Sequence, residues 1–195
     1  KEINTVEDLK GLKIRYYGLG GKVMQKLGAS VSLLPGGEIF AALEKNALDA
    51  TEFSMPAIDQ LLGFHKIAKM NYFPGWHQQA TLFELLINKD TWNSMSESQQ
   101  MLMEIICKAA TTDAFAFTEA IQAKAMTENV EKHGVTNKYY SKEILAEFEK
   151  AWYEVAAELS ATSPFFKETW EDLSAFRGQY AIWANYAFLP RGLDK

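Results

Sequence analysis

The chain has 195 residues and a mass of 22.0 kDa, with 48% hydrophobic and 13% aromatic residues, a net charge of −5 and a pI near 5.3. That length and hydrophobic share allow a substantial core and exclude a disordered composition. The acidic balance, with no lysine- or arginine-rich run, argues against nucleic acid as a partner, because phosphate binding needs clustered positive charge.

No segment approaches the ~18 apolar residues of a membrane span. The opening Lys1-Glu2-Ile3-Asn4 has no apolar core behind it, as a secretory signal would. The expectation is a cytoplasmic protein, or one whose N-terminal portion has been removed. Cys107 is the only cysteine, which leaves no internal disulfide and no cysteine-based metal cluster. Set in Met-Glu-Ile-Ile-Cys-Lys-Ala-Ala, it is expected to be a buried, inert thiol.

In chain order, Thr5-Val6-Glu7-Asp8 caps a short helix that ends at Gly11. Residues 12–17 read as a strand, 20–27 as a helix closed by Gly28, and 30–34 as the next strand. The Pro35-Gly36-Gly37 turn leads into a helix over 38–45, followed by a short strand over 50–53 and a helix over 56–62. Residues 68–72 and 81–87 read as further strands on either side of Pro74-Gly75-Trp76-His77. This half is α/β in character, a mixed sheet with flanking helices.

A helical pattern then runs from Ser96-Glu97 to Gly134. Leu102, Ile105, Ala109, Ala116 and Ala120 trace one apolar stripe, and Ile106, Ala110, Phe117 and Ile121 its neighbour. A face that wide predicts burial on more than one side. Residues 135–139 suit a strand, 141–161 a helix, and Pro164 starts a last helix carrying Phe166, Trp170, Leu173 and Tyr180. The division expected is an α/β lobe over 1–90 and a long helical region over 91–195.

Gly18-Leu19-Gly20-Gly21-Lys22-Val23 fails both nucleotide fingerprints, since a dinucleotide loop needs Gly at Val23 and a P-loop needs Ser or Thr there. Arg15 lies between Ile14 and Tyr16 in an apolar strand. Its planar fork suits a two-oxygen grip on a carboxylate. By position, ligand clamp and structural salt bridge are equal readings. Glu52 alone reads as a solvated or capping carboxylate. Together, an arginine and a carboxylate at the carboxyl ends of strands point to a site for a small acid with a cation.

Trp76-His77-Gln78 is an aromatic turn suited to a pocket wall. His77 is a lone histidine, and His65 and His133 lack metal-ligand spacing, so neither zinc nor iron is indicated. No Gly-x-Ser-x-Gly elbow is present, and nothing in the spacing makes Glu52 and His77 an acid–base pair, so no enzyme is expected.

Six blocks occur in order: Gly11-Leu12-Lys13-Ile14-Arg15, Gly18-Leu19-Gly20-Gly21, Lys26-Leu27-Gly28-Ala29, Leu34-Pro35-Gly36-Gly37-Glu38-Ile39-Phe40-Ala41-Ala42-Leu43, Leu48-Asp49-Ala50-Thr51-Glu52 and Tyr72-Phe73-Pro74-Gly75-Trp76-His77. Together they closely resemble the DctP-type extracytoplasmic solute-binding subunits of TRAP transporters, in the branch that binds 2-oxo acids or lactate. The resemblance implies a periplasmic, two-lobed binding fold that closes on its ligand and signals to membrane subunits. It also implies that this chain begins where the second lobe begins, without the segment that builds most of lobe one.

Carried over from the family, Arg15 pairs with the substrate carboxylate and Glu52 helps hold a cation beside it. Phe53 stands where the branch usually has Trp, whose main-chain carbonyl faces the cation, and Gln78 where it often has Glu. Loss of that charge favours sodium over calcium, with no organic cofactor. Tyr16, Phe53 and Trp76 are expected to wall the apolar tail of a small monocarboxylate such as pyruvate. The rival expectation is a self-associating module, a homo-oligomer that covers the apolar face of its long helix.

Overall fold

Two reinforcing hydrogen bonds start the chain: Thr5 donates from its main-chain N and from Oγ1 to Asp8 Oδ2, at 3.0 and 3.2 Å. This caps a 3-10 turn, Val6–Leu9, whose Leu9 is fully buried. The structure is a computed structural model that describes residues 2–78 and 80–188. It divides into two compact units, Lys1–Leu145 and Ala146–Lys195.

In the first unit, β1 (Lys13–Arg15) is the centre of a three-stranded parallel sheet. Its neighbours are β2 (Ser30–Ser32) and β3 (Ala50–Thr51), with Ile14 opposite both Val31 and Ala50. Helix α1 (Gly18–Lys26) connects β1 to β2, and α2 (Gly36–Glu44) carries the chain past β1 to β3. Ile39 and Leu43 of α2 are buried in one cluster with Leu48 and Phe64, and Leu34, Phe40 and Phe53 pack against it. In the order β2-β1-β3, successive connections leave β1 on opposite sides. The carboxyl ends of β1 and β3 therefore form a topological switch point, where open α/β sheets hold ligands.

The rest of the unit is built by α3 (Pro56–Leu61), a 3-10 turn (Phe64–Lys66), β4 (Met70–Phe73), α4 (Lys89–Ser94), α5 (Glu97–His133) and β5 (Thr136–Tyr139). β4 and β5 pair in parallel as a second sheet. Ser96 and Gln99 form a capping box at the start of α5, and Gly134 ends it in the left-handed conformation. Its 37 residues span about 55 Å. Near its C-terminal end Gln122 accepts from Ala57 N (3.0 Å) and Asn129 accepts from Gln60 Nε2 (3.1 Å), which docks α3.

Helix α6 (Lys142–Thr162) opens on Ser141, whose Oγ accepts from Ile144 N at 3.2 Å. Within the second unit its Phe148, Ala151, Val155 and Ala156 are buried at helical spacing. Helix α7 (Pro164–Ala187) is capped by Ser163, and its Trp170 meets Trp152 edge-on at 5.3 Å between ring centres. No described helix is long and apolar enough to cross a membrane. Residues 189–195 of the expected helical region lie outside the described residues.

The α/β order stands as expected, with slightly shorter strands, but three expectations do not. Residues 81–87 form no strand: Leu82, Phe83 and Leu86 are exposed, and no described strand pairs with them. Cys107 is exposed rather than buried. The double stripe of α5 is exposed at Leu102, Ile105, Ile106 and Phe117, because α3 reaches only the C-terminal part of that helix. Ala125 and Asn129 are its buried residues. Helix α4 was not expected; Asn88 makes it by accepting from Asp90 N and Thr91 N.

Candidate functional site: the carboxyl ends of β1 and β3

Arg15 is the last residue of β1, and its side chain is 7% exposed. Three acceptors fix its guanidinium. Nε donates to Leu34 O (3.1 Å), and Nη1 donates to Glu52 O (2.7 Å) and to Glu52 Oε2 (3.2 Å). The group also lies 5.2 Å from the centre of the Phe53 ring and 6.0 Å from that of Tyr17. Nη2 makes no hydrogen bond among the described residues, so the arginine is oriented with donors to spare.

Glu52 follows β3 directly and meets β1 from the other side. Its Oε2 accepts from Tyr17 N (3.0 Å) as well as from Arg15. Its Oε1 lies 3.7 Å from His77 Nε2. His77 Nδ1 is 3.1 Å from the Tyr16 hydroxyl, and the two rings meet edge-on with centres 4.8 Å apart. Burial, followed by the nearby Tyr140 and Glu52, pushes the Tyr16 phenol well above its ordinary range, so it stays protonated.

Of the sequence-predicted residues, Arg15, Tyr16, Glu52 and Phe53 come together at the strand ends, and Trp76 reaches Tyr16 with ring centres 6.1 Å apart. The Phe53 ring packs edge-on to Phe64 at 5.9 Å and covers Gly36, where an added Cβ would stand 2.8 Å from it. Its side chain thus serves the core and the Arg15 platform. Gln78 is exposed and donates from Nε2 to Thr81 Oγ1 at 2.8 Å, which leaves its Oε1 as an acceptor. Glu52, the Phe53 carbonyl and Gln78 carry oxygen donors, the type that hard ions such as sodium and calcium take, but the Gln78 amide meets Thr81 and no described contact joins it to Glu52 or Phe53. No group of three His, Cys, Asp or Glu residues suited to a metal is present among the described residues.

Sequence reasoning missed two features. Asp59 accepts from Ser54 N at 3.1 Å and so ties α3 to the segment that follows Glu52. Burial, reinforced by Glu52, pushes its carboxyl up to about 7, against the Ser54 N–H and Arg15. His65 and His133 stack with ring centres 4.3 Å apart, and Lys69 Nζ donates to both their carbonyls at 3.0 Å. Burial, His133 and the neighbouring lysines 66 and 69 hold His65 below its ordinary value. A separation of 68 residues left no local signal for this pair.

The chain matches the family described as bacterial extracellular solute-binding protein, family 7 (DctP), over residues 1–162. A monocarboxylate 2-oxoacid-binding periplasmic protein from Nostoc sp. is 36% identical over 183 residues, which are 94% of this chain and 50% of that protein. A TRAP periplasmic solute-binding protein from Colwellia psychrerythraea, solved with bound calcium and pyruvate, superposes with a TM-score of 0.88 at 34% identity. Its counterpart from Pseudoalteromonas atlantica, with bound sodium and pyruvate, gives 0.87 at 31%. Each superposition covers 96% of this chain and 57% of the other. The chain therefore spans about half the length of these relatives. With its α/β lobe and long helices matched from the first residue to residue 162, the chain belongs to the DctP family of extracellular solute-binding proteins.

Proposed function

We propose that the chain is the ligand-holding part of a periplasmic receptor for a TRAP-type transporter. Its ligand is a small monocarboxylate, a 2-oxo acid such as pyruvate or the matching 2-hydroxy acid, taken with a cation. The observation that carries this is Arg15: buried, fixed by three acceptors, and left with Nη2 for a ligand carboxylate. Glu52, the Phe53 carbonyl and Gln78 are the oxygen donors for the cation, which would polarise the 2-oxo or 2-hydroxy oxygen. One carboxylate in that set favours sodium over calcium. Tyr16 and Trp76, with the edge of Phe53, form the apolar wall.

In this reading residues 1–90 are the binding lobe, the helical region over 91–195 is the part that spans both lobes in the full family protein, and TRAP membrane subunits are the partners. It binds without turnover. Calorimetric titration with pyruvate and longer 2-oxo acids, with and without sodium and calcium, tests it. Saturable, cation-dependent binding lost in Arg15→Ala is the expected result, and an Arg15→Ala variant that binds as well as the parent would refute the assignment.

A second reading rests on the exposed Leu102, Ile105, Ile106 and Phe117 of α5: two copies of this chain associate through that face. Light scattering over a range of concentrations distinguishes a dimer from a monomeric receptor.

A further inference from the structure

We infer, building on the receptor reading above, that His77 is a positioning residue: Tyr16 locks its ring so that Nε2–H addresses the outer oxygen of Glu52 and fixes the carboxylate at the site. Three segments far apart in the chain meet here. Tyr16 follows β1, Glu52 follows β3, and His77 lies in the turn after β4.

The protonation pattern follows from the neighbours. A neutral imidazole carries one donor and one acceptor nitrogen, and the bond made by one sets the other. Tyr16 keeps its proton, so its O–H donates to Nδ1 across 3.1 Å and the ring proton sits on Nε2. The opposite tautomer would aim the Nε2 lone pair at the Glu52 carboxylate, 3.7 Å away. That arrangement is repulsive.

His77 Nε2 is also buried without a hydrogen-bond partner among the described residues. An orphaned buried donor is costly, and 3.7 Å is longer than a hydrogen bond. A small turn of the Glu52 carboxylate toward the ring satisfies it. Glu52 Oε2 is already engaged by Arg15 Nη1 and Tyr17 N, so each carboxylate oxygen faces its own neighbours. Without His77 the outer oxygen, Oε1, is free to turn toward Arg15 as well and occupy the donors that a ligand carboxylate needs.

The packing is specific to this arrangement. A Cβ at Gly20 would stand 2.7 Å from Tyr16 Cε1 and 2.9 Å from His77 Cδ2, so the ring pair rests directly on the first turn of α1.

The test begins with the chain free of ligand. Long-range 1H–15N correlation spectra at pH 8 should show an unprotonated Nδ1 and a protonated Nε2 for His77, its signals identified by their loss in His77→Gln. Tyr16→Phe should convert this single tautomer into a mixture. A protonated Nδ1 in the parent, or a tautomer indifferent to Tyr16→Phe, would overturn the proposal. In pyruvate titrations with sodium, His77→Phe should weaken binding about tenfold, with recovery in His77→Gln, which restores a donor. Equal affinity in His77→Phe would also overturn it. A parent that binds no pyruvate yet shows the Tyr16-dependent tautomer supports the positioning role and counts against the receptor reading alone.

Discussion

Arg15 donates from a single nitrogen, Nη1, to both the main-chain carbonyl and the carboxylate of Glu52, at 2.7 and 3.2 Å. The bond to the carbonyl does not depend on the rotamer of Glu52, so the arginine stays oriented even when the carboxylate turns to another partner. The carboxylate is thereby the movable half of the pair. In the receptor reading a ligand acid competes with it for Arg15 and a cation draws it away, while Arg15 remains in place.

That division predicts a steep difference between arginine and lysine. Lysine retains the charge but offers a point donor on a flexible stem, and cannot serve Leu34 O, Glu52 O and a ligand together. Arg15→Lys should lose about 1–3 kcal/mol of stability through the unsatisfied carbonyls. Ligand affinity should fall by about 2–5 kcal/mol, as for other broken charge pairs. Chemical denaturation and calorimetry read the two effects separately, and a lysine variant equal to the parent in both would remove Arg15 from the site.

Gly20 supplies a second prediction. The close approach of Tyr16 and His77 leaves no room for a methyl group, so Gly20→Ala must displace the ring pair, at about 1–3 kcal/mol of stability. Gly37, also in a helix, meets nothing within 4 Å, and Gly37→Ala should be neutral or raise stability by about 0.5–1 kcal/mol. Melting curves of the two variants make the comparison. Equal shifts would mean that the turn at Gly20 has slack which the packed rings do not show.

Much of this was legible in the sequence, for local reasons. Glycine turns and caps act over a few residues, so the start at Ser96-Glu97 and the stop at Gly134 could be placed to the residue. Arg15 and Glu52 were expected at strand ends, where α/β folds hold ligands, and they stand at the ends of β1 and β3. The contacts made by His77 were not legible, since its partner Tyr16 is 61 residues away and a histidine in a turn carries no periodic signal. The stripes on α5 failed differently. Periodicity says which face of a helix is apolar, not whether anything lies against it, and the described residues leave Ile105 and Phe117 exposed. Residues 81–87 failed for the same reason, because strand-like composition supplies no partner strand.

Glu52→Gln tests the cation directly. The amide keeps an acceptor for Arg15 and Tyr17 N but removes the negative charge. Sodium should then lose its effect on pyruvate titrations, with affinity reduced to that of the sodium-free parent. A variant that still gains affinity from sodium would place the ion elsewhere.

Asp59 sets a pH dependence opposite in sign to that of most carboxylates. The folded protein holds its proton up to about pH 7, whereas the unfolded chain releases it near 3.8. Between those values the folded state binds more protons, so stability falls as pH rises and the loss is complete above about 7. His65 works the other way: burial depresses its affinity for protons, so acidification below its ordinary 6.5 destabilises the fold. The two are separated by comparing variant with parent at each pH. Asp59→Asn keeps an oxygen for Ser54 N without a titratable charge. Its melting temperature should gain on that of the parent between pH 5 and pH 8, because between about 3.8 and 7 the parent loses stability as pH rises and the variant has no such carboxyl. If parent and variant keep the same difference at both pH values, the Asp59 proton is not linked to folding, and its bond to Ser54 N is the whole of its contribution.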